Sequence, residues 1–266
     1  MMSKNMIYLC SMTNIERHQH ILEQIEGHGK VHVLDLCKLL NVSSVTIRKD
    51  LKTLEEKGLL YRTHGGATAI NPYTMDRTVF EKEKLFAEEK SLIARTAASM
   101  VDENDSIIIA SGTTVQAMAR EIVPIGALTV VTAALNVSLQ LIKHQNVEIL
   151  QLGGLLRKSS TSVAGLYAES ILSDFYCSKL FMGVDGIDVE YGLTTTNAQE
   201  AHLNRKMMNV AQKTIVLADS SKFGKRGFGR ICPAEEVDVV ITDPGIPEKS
   251  AMELEKMGIQ VIIVGK

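Results

Sequence analysis

The chain has 266 residues, of which 45% are hydrophobic and 23% charged, with a formal net charge of −2. This is the balance of a globular protein with room for two cores, and it excludes a low-complexity or disordered chain. No run approaches the roughly 20 apolar residues of a membrane span. The four scattered cysteines, with no C-x-x-C pair, point to reduced cytoplasmic thiols and away from disulfides or a metal site.

No metal or other cofactor is expected. Residues 1–66 carry nine Lys/Arg against seven Asp/Glu, and residues 67–266 carry twenty against twenty-four. The positive surplus therefore lies at the N-terminus.

Residues 1–14 lack the apolar segment and small-residue cleavage site of a signal peptide. They read as a disordered extension, with Met12 a second candidate start. From Ile15 to Gly27 the chain reads as a first helix with Ile21, Leu22 and Ile25 on one apolar stripe, closed by Gly27-His28-Gly29. His18 and His20, two apart, face different sides of it and are expected to be solvated.

An extended run, Lys30–Val33, precedes a second helix, Leu34–Leu40. Asn41-Val42-Ser43 breaks it, and Ser43 suits the N-cap of a third helix that runs to Lys57 before Gly58. In that helix Ile47, Leu51 and Leu54 fall at i, i+4 and i+7, which turns Arg48, Lys49 and Lys52 toward solvent. Leu59 to Gly66 reads as a hairpin wing carrying Arg62 and His64.

Residues 15–67 thus form a winged helix-turn-helix. An exposed helix fits a DNA major groove, where Arg and Lys reach guanine edges or phosphates, and Ser43, Ser44 and Thr46 at the helix start can hold a phosphate. Arg62 and His64 can reach the backbone or the minor groove. On charge alone, however, a solvated helix face explains these residues better, because Asp50, Glu55 and Glu56 share the helix.

Residues 68–89 read as a linker. They hold Asn71-Pro72-Tyr73 and the charged segment Phe80–Lys84, which suits an exposed connector or a solvated helix. From residue 90 to 266, β-branched runs alternate with helical stretches. Strands are expected at Ser106–Ala110, Leu128–Thr132, Val147–Leu152, Lys179–Val184, Thr214–Ala218, Val237–Thr242 and Gln260–Val264. The pattern is that of a Rossmann-like α/β domain with a mostly parallel sheet, in which ligands bind beyond the carboxyl ends of the strands.

There Ser111-Gly112-Thr113-Thr114 leads into a helix over Val115–Glu121. A glycine that admits close approach, helix-start amides and three hydroxyls make a phosphate cradle. An ordinary strand-to-helix turn explains the same four residues.

Both halves closely resemble one family. The first carries Glu16-Arg17-His18-Gln19, Val42-Ser43, Thr46-Ile47-Arg48-Lys49-Asp50-Leu51 and Arg62-Thr63-His64-Gly65-Gly66-Ala67, and is similar to the DeoR-type helix-turn-helix. The second carries Ser111-Gly112-Thr113-Thr114, Val131-Thr132, Gly153-Gly154 with Arg157, Gly183-Val184-Asp185-Gly186-Ile187 and Asp219-Ser220-Ser221-Lys222. It resembles the sensor domain of DeoR regulators, which shares its fold with ribose-5-phosphate isomerase.

The resemblance implies a repressor of sugar-metabolism genes that binds a double-stranded DNA operator as a homodimer or homotetramer and answers to a phosphorylated sugar. It assigns Ser111, Gly112, Thr113 and Thr114 to the phosphate, Asp185 to sugar hydroxyls and Lys222 to the negative charge, with Thr132 and Arg157 as further effector residues. Two positions depart from the family pattern. Arg48-Lys49 stands where Arg-Arg is usual, which loses a bidentate fork, and Ala110 stands where an Asp is usual.

The alternative is a sugar-phosphate isomerase-like enzyme fused to a DNA-binding module. Asp185 and Asp188 stand three apart like the proton-moving acids of the isomerases. Those enzymes follow with a lysine, whereas Gly192–Thr196 has none, so the cation that would stabilise an enediolate is expected to be missing. Binding is therefore expected rather than catalysis, and no catalytic residue is assigned.

Overall fold

The structure is a computed structural model that describes residues 12–63, 65–68 and 77–265. The chain divides into two compact units, Met1–Met75 and Asp76–Lys266.

The first unit runs α1 (Asn14–His28), β1 (Lys30–His32), α2 (Val33–Leu40), α3 (Ser44–Glu56), β2 (Tyr61–Thr63) and β3 (Gly66–Thr68). It begins before the expected first helix. Thr13 and Glu16 form a capping box that satisfies the first amides of α1, and Met12 packs against the core. Residues 1–11 lie outside the described residues.

The wing is an antiparallel sheet in the order β1-β3-β2. A Cβ at Gly66 would meet the Val31 carbonyl oxygen at 1.9 Å, so only glycine lets β3 lie against β1. Ile21, Ile25, Leu36, Ile47, Leu51, Leu54 and Leu60 fill the core. The apolar periodicity of α3 is thereby realised on its inner face.

That face also buries a charge. Asp50 receives a two-pronged grip from Arg17 on α1, Nε to Oδ2 at 2.6 Å and Nη2 to Oδ1 at 2.9 Å, with His18 Nε2 at 3.1 Å from Oδ1. Arg17 and Asp50 are both buried. His18, expected to be solvated, is instead half-buried against this carboxylate. Burial alone would raise the Asp50 pKa, but the hydrogen bonds from Arg17 and His18 outweigh it and hold the carboxyl below its ordinary value.

The second unit opens with α4 (Val79–Glu83) and α5 (Ala87–Ala98). Within the stretch expected to be a linker, Thr68 ends β3 and these helices account for 79–83 and 87 onward, while 69–76 lie outside the described residues. There follow β4 (Ser106–Ile109), α6 (Thr113–Glu121), β5 (Leu128–Thr132), α7 (Leu135–Leu141), β6 (Val147–Gln151), β7 (Leu155–Arg157), β8 (Ser162–Ala164) and α8 (Leu166–Leu172). The chain continues through β9 (Cys177–Gly183), β10 (Gly186–Asp188), β11 (Gly192–Thr195), α9 (Ala198–Asn209), β12 (Ala211–Leu217), β13 (Gly229–Cys232), β14 (Val239–Thr242), α10 (Glu248–Lys256) and β15 (Gln260–Ile263).

The central sheet has seven strands in the order β15-β14-β12-β9-β4-β5-β6, and every pairing in it is parallel. These are the seven strands expected from the sequence. Ile108, Leu180, Val216 and Val240 enter the core on one face; Ile107, Ile109, Phe181, Ile215 and Val239 enter the core on the other. Burial on both faces explains why the strands read as near-continuous apolar runs.

The short antiparallel pair β7-β8 and the three-stranded sheet β10-β11-β13 have no counterpart among the expected strands, since three- and four-residue strands leave no periodicity. Among the described residues no helix is long and apolar enough to cross a membrane.

Replacing Arg17 with Met strands a buried charge on α3, which should destabilise the first unit by about 3–5 kcal/mol. Hydrogen exchange at the α3 amides of the full chain measures this, and the double change Arg17→Met with Asp50→Leu should recover most of the loss. A carboxyl whose pKa falls on folding contributes fully above its unfolded value and loses that contribution as the pH drops through the folded one. The gap between wild type and Arg17→Met should therefore narrow below about pH 4.

Candidate functional site

Each unit presents a site. In the first, Ser44, Val45, Arg48, Lys49 and Lys52 form the outer face of α3, and Val45, Arg48, Lys49 and Lys52 are exposed. Ser43 is the N-cap; its Oγ accepts from the Thr46 amide at 3.2 Å and lies 2.9 Å from Thr46 Oγ1.

Two of the three acids that weigh against a basic reading are committed elsewhere. Asp50 is gripped by Arg17. Glu55 accepts from the Arg62 amide at 2.9 Å and lies 3.6 Å from its guanidinium, tying the wing to α3. Glu56 pairs loosely with Lys52 at 3.9 Å. The face around Arg48 and Lys49 is thus more basic than the composition of the helix suggests. Val45, 72% exposed, carries no polar signal in the sequence; beside Arg48 it offers a methyl surface of the kind that meets thymine. His64 lies outside the described residues.

In the second unit the chain runs β4 to β6 toward one edge of the sheet, then returns through β9 to β15 toward the other, so the order reverses between β4 and β9. Such a reversal opens a crevice at the carboxyl ends of the strands. Ser111, Gly112, Thr113 and Thr114 follow β4, Gly183 to Asp185 end β9, and Lys222 follows β12 in a short 3-10 turn capped by Asp219. All of them line one pocket, with Arg77, Val79, Lys82, Ser159, Ser160, Thr195 and Asn204.

Gly112 is the N-cap of α6 with φ +130°, a backbone region closed to most L-residues. It starts α6 at the pocket wall without a capping side chain, so the first amides of the helix are left available to an anion.

Asp185 is the one acid in the lining, against Arg77, Lys82 and Lys222. Its Oδ1 accepts from Lys82 Nζ at 2.8 Å, and its Oδ2 accepts from Thr195 Oγ1 at 3.0 Å and the Thr196 amide at 3.2 Å. Burial pushes its pKa up, yet Lys82 and Lys222 hold it down to about 2. Gly192–Thr196 carries no lysine; the cation on Asp185 comes from α4. The charged run at 80–84 suits an exposed connector or a solvated helix equally well, and gives no sign of this contact.

Two expected effector residues lie elsewhere. Thr132 is fully buried, donating to the Ile109 carbonyl at 2.6 Å and accepting from the Ala134 amide at 3.1 Å; it fastens β5 to β4. Arg157 pairs with Glu200 at 2.6 Å beside the pocket. Asp188, the second acid of the isomerase reading, is held by Arg226 at 2.8 and 3.0 Å, away from the pocket lining. Ala110 is fully buried.

Comparison with known proteins agrees with this division. The profile of the DeoR-like helix-turn-helix domain matches residues 17–73, and that of the DeoR C-terminal sensor domain matches residues 85–244. A protein of Escherichia coli O157:H7, assigned as the aga operon transcriptional repressor, is 38% identical over 94% of both chains. The regulator GlpR of Haloferax volcanii is 34% identical over 94% of this chain and 98% of its own. The repressor GlcR of Bacillus subtilis is 33% identical over 93% and 95%. Among solved structures, ribose 5-phosphate isomerase A of Methanocaldococcus jannaschii matches with a TM-score of 0.38 at 14% identity, over 52% of this chain and 55% of its own.

Replacing Gly112 with Ala should cost about 1–3 kcal/mol of backbone strain, because the added Cβ meets nothing closer than 3.9 Å and crowding adds little. Urea unfolding of the full chain gives the stability loss, and titration with a sugar monophosphate should show weaker binding as the α6 amides turn away.

Proposed function

Because this chain belongs to the DeoR family of transcriptional regulators, we propose that it represses sugar-metabolism genes by holding an operator with α3 and releases it when a phosphorylated sugar binds the second unit. The observation that carries this reading is the pocket at the β4–β9 reversal. Three cations and the start of α6 surround one ionised carboxylate, a set that suits a ligand with an anionic end and donating hydroxyls.

On the DNA side, Arg48 and Lys49 would enter the major groove with Val45 beside them, Ser43, Ser44 and Thr46 would meet phosphates at the start of α3, and Lys52 would meet the backbone further along. Arg62, held by Glu55, would lie along the backbone with the wing. The protein acts as a cytoplasmic homodimer or homotetramer, since helix-turn-helix proteins read paired half-sites about 34 Å apart. A sugar phosphate that prefers one spacing of the recognition helices shifts the population toward release. Arg157, paired with Glu200 next to the pocket, supports the site from its rim.

The relatives named for the aga operon and GlcR are called repressors, which favours repression over activation here. Catalysis is not part of this reading. The second acid that an isomerase needs is occupied by Arg226, and the relatives are regulators.

A thermal-shift screen of the full chain against glucose, fructose and ribose monophosphates, their free sugars and inorganic phosphate tests the sensor half. A phosphorylated effector at 100-fold excess over its Kd should add about 2.7 kcal/mol; stabilisation by free sugars alone would overturn the reading. For the DNA half, Arg48→Ala should weaken operator binding by about 1–3 kcal/mol and relax base preference. Lys52→Ala should weaken all sequences alike and shallow the salt dependence. Both are read by fluorescence anisotropy at several salt concentrations.

A further inference from the structure

The pocket has a feature that a phosphate cradle with an acid does not require: its carboxylate is already taken. Asp185 is engaged on both oxygens, by Lys82, Thr195 and the Thr196 amide. Two of these donors belong to the frame, since Thr195 is a buried residue of β11 and Thr196 donates from the main chain. The third is the end of a flexible side chain. Space is short as well: the cleft holds about 60 Å³, less than half of the roughly 150 Å³ that admits benzene. Lys82 Nζ sits on the carboxylate oxygen that a ligand hydroxyl would use, so this side chain must swing aside for a sugar to reach Asp185.

The main chain of α4 is not free to do so. The Val79 amide donates to the Ser159 carbonyl at 2.7 Å. Lys90 Nζ donates to the Lys82 and Leu85 carbonyls, both at 2.6 Å, and Glu83 pairs with Arg120 of α6 at 2.6 Å. What can move is the ammonium of Lys82.

We infer that Lys82 is the specificity-determining residue of the pocket: its ammonium leaves Asp185 for the phosphate of an incoming sugar phosphate, while a hydroxyl of the same ligand takes its place on Asp185. This rests on the sensor reading above. The exchange balances only when both groups arrive joined. A free sugar supplies the hydroxyl but strands a half-buried ammonium, and inorganic phosphate draws the ammonium but strips Asp185 of its donor. The Lys82–Asp185 pair therefore rejects each half-ligand and accepts the whole.

The test is calorimetric titration of the full chain with the sugar monophosphate that stabilises it most, and with the same sugar unphosphorylated. Wild type should strongly prefer the phosphorylated form. In Lys82→Met that preference should fall roughly tenfold to hundredfold, the worth of one charged hydrogen bond, with the free sugar bound as well as before or better. Lys82→Arg, which keeps the cation, should retain most of it.

An unchanged preference in Lys82→Met, or equal weakening toward both ligands, would overturn the inference while leaving the sensor reading intact. Lack of preference in wild type would instead sink the sensor reading itself. Should Lys82→Met fail to fold, Lys82→Gln gives the same comparison, and failure of both would make Lys82 a structural residue.

Discussion

A carboxylate taken out of water must be given cations or donors, or it will not stay ionised. That constraint acts in both units. In the first, Asp50 lies on the inner face of α3, and the fork of Arg17 from α1 satisfies it in fixed geometry. Ile47, Leu51 and Leu54 seat the same face of α3 in the core. The two-pronged grip sets its orientation, and with it the direction in which Arg48 and Lys49 face. In the second unit, Asp185 collects Lys82 from α4 and donors around Thr195, drawing together segments more than a hundred residues apart.

The parallel sheet explains why the pocket forms where it does. All seven strands point the same way, so the loops that follow β4, β9 and β12 emerge at one end and in one neighbourhood. Because the strand order reverses between β4 and β9, the flanking connections diverge and leave a crevice. Gly112 then lets the chain turn sharply enough to start α6 at its wall. The site is thus a consequence of topology refined by a few residues of special conformation.

Much of this was legible in the chain itself. The inward positions of α3 follow from apolar spacing, Ser43 caps that helix where a capping residue was expected, and the seven central strands announce themselves as β-branched runs, since burial on both faces demands apolar residues throughout. Ser111 to Thr114 and Asp185 stand out because strand-end loops of such sheets carry ligand chemistry. Spacing within one element is local information, and local information survives in sequence.

Partnerships across elements do not. Charge counting along α3 set Asp50, Glu55 and Glu56 against the basic residues, but Arg17 and the wing remove two of them from the outer face. Thr132 looked like a ligand residue and proved to be a strand fastener, because a hydroxyl at a strand end turns inward as readily as outward. Lys82 is indistinguishable in the sequence from its charged neighbours, since nothing near residue 82 reveals that it will meet residue 185. The sequence by itself determined the elements, the order of the two units and the residues competent for anion and DNA chemistry. Only the tertiary structure decided which charges neutralise one another and which remain to face a ligand, because electrostatic pairing depends on distance in space and not along the chain.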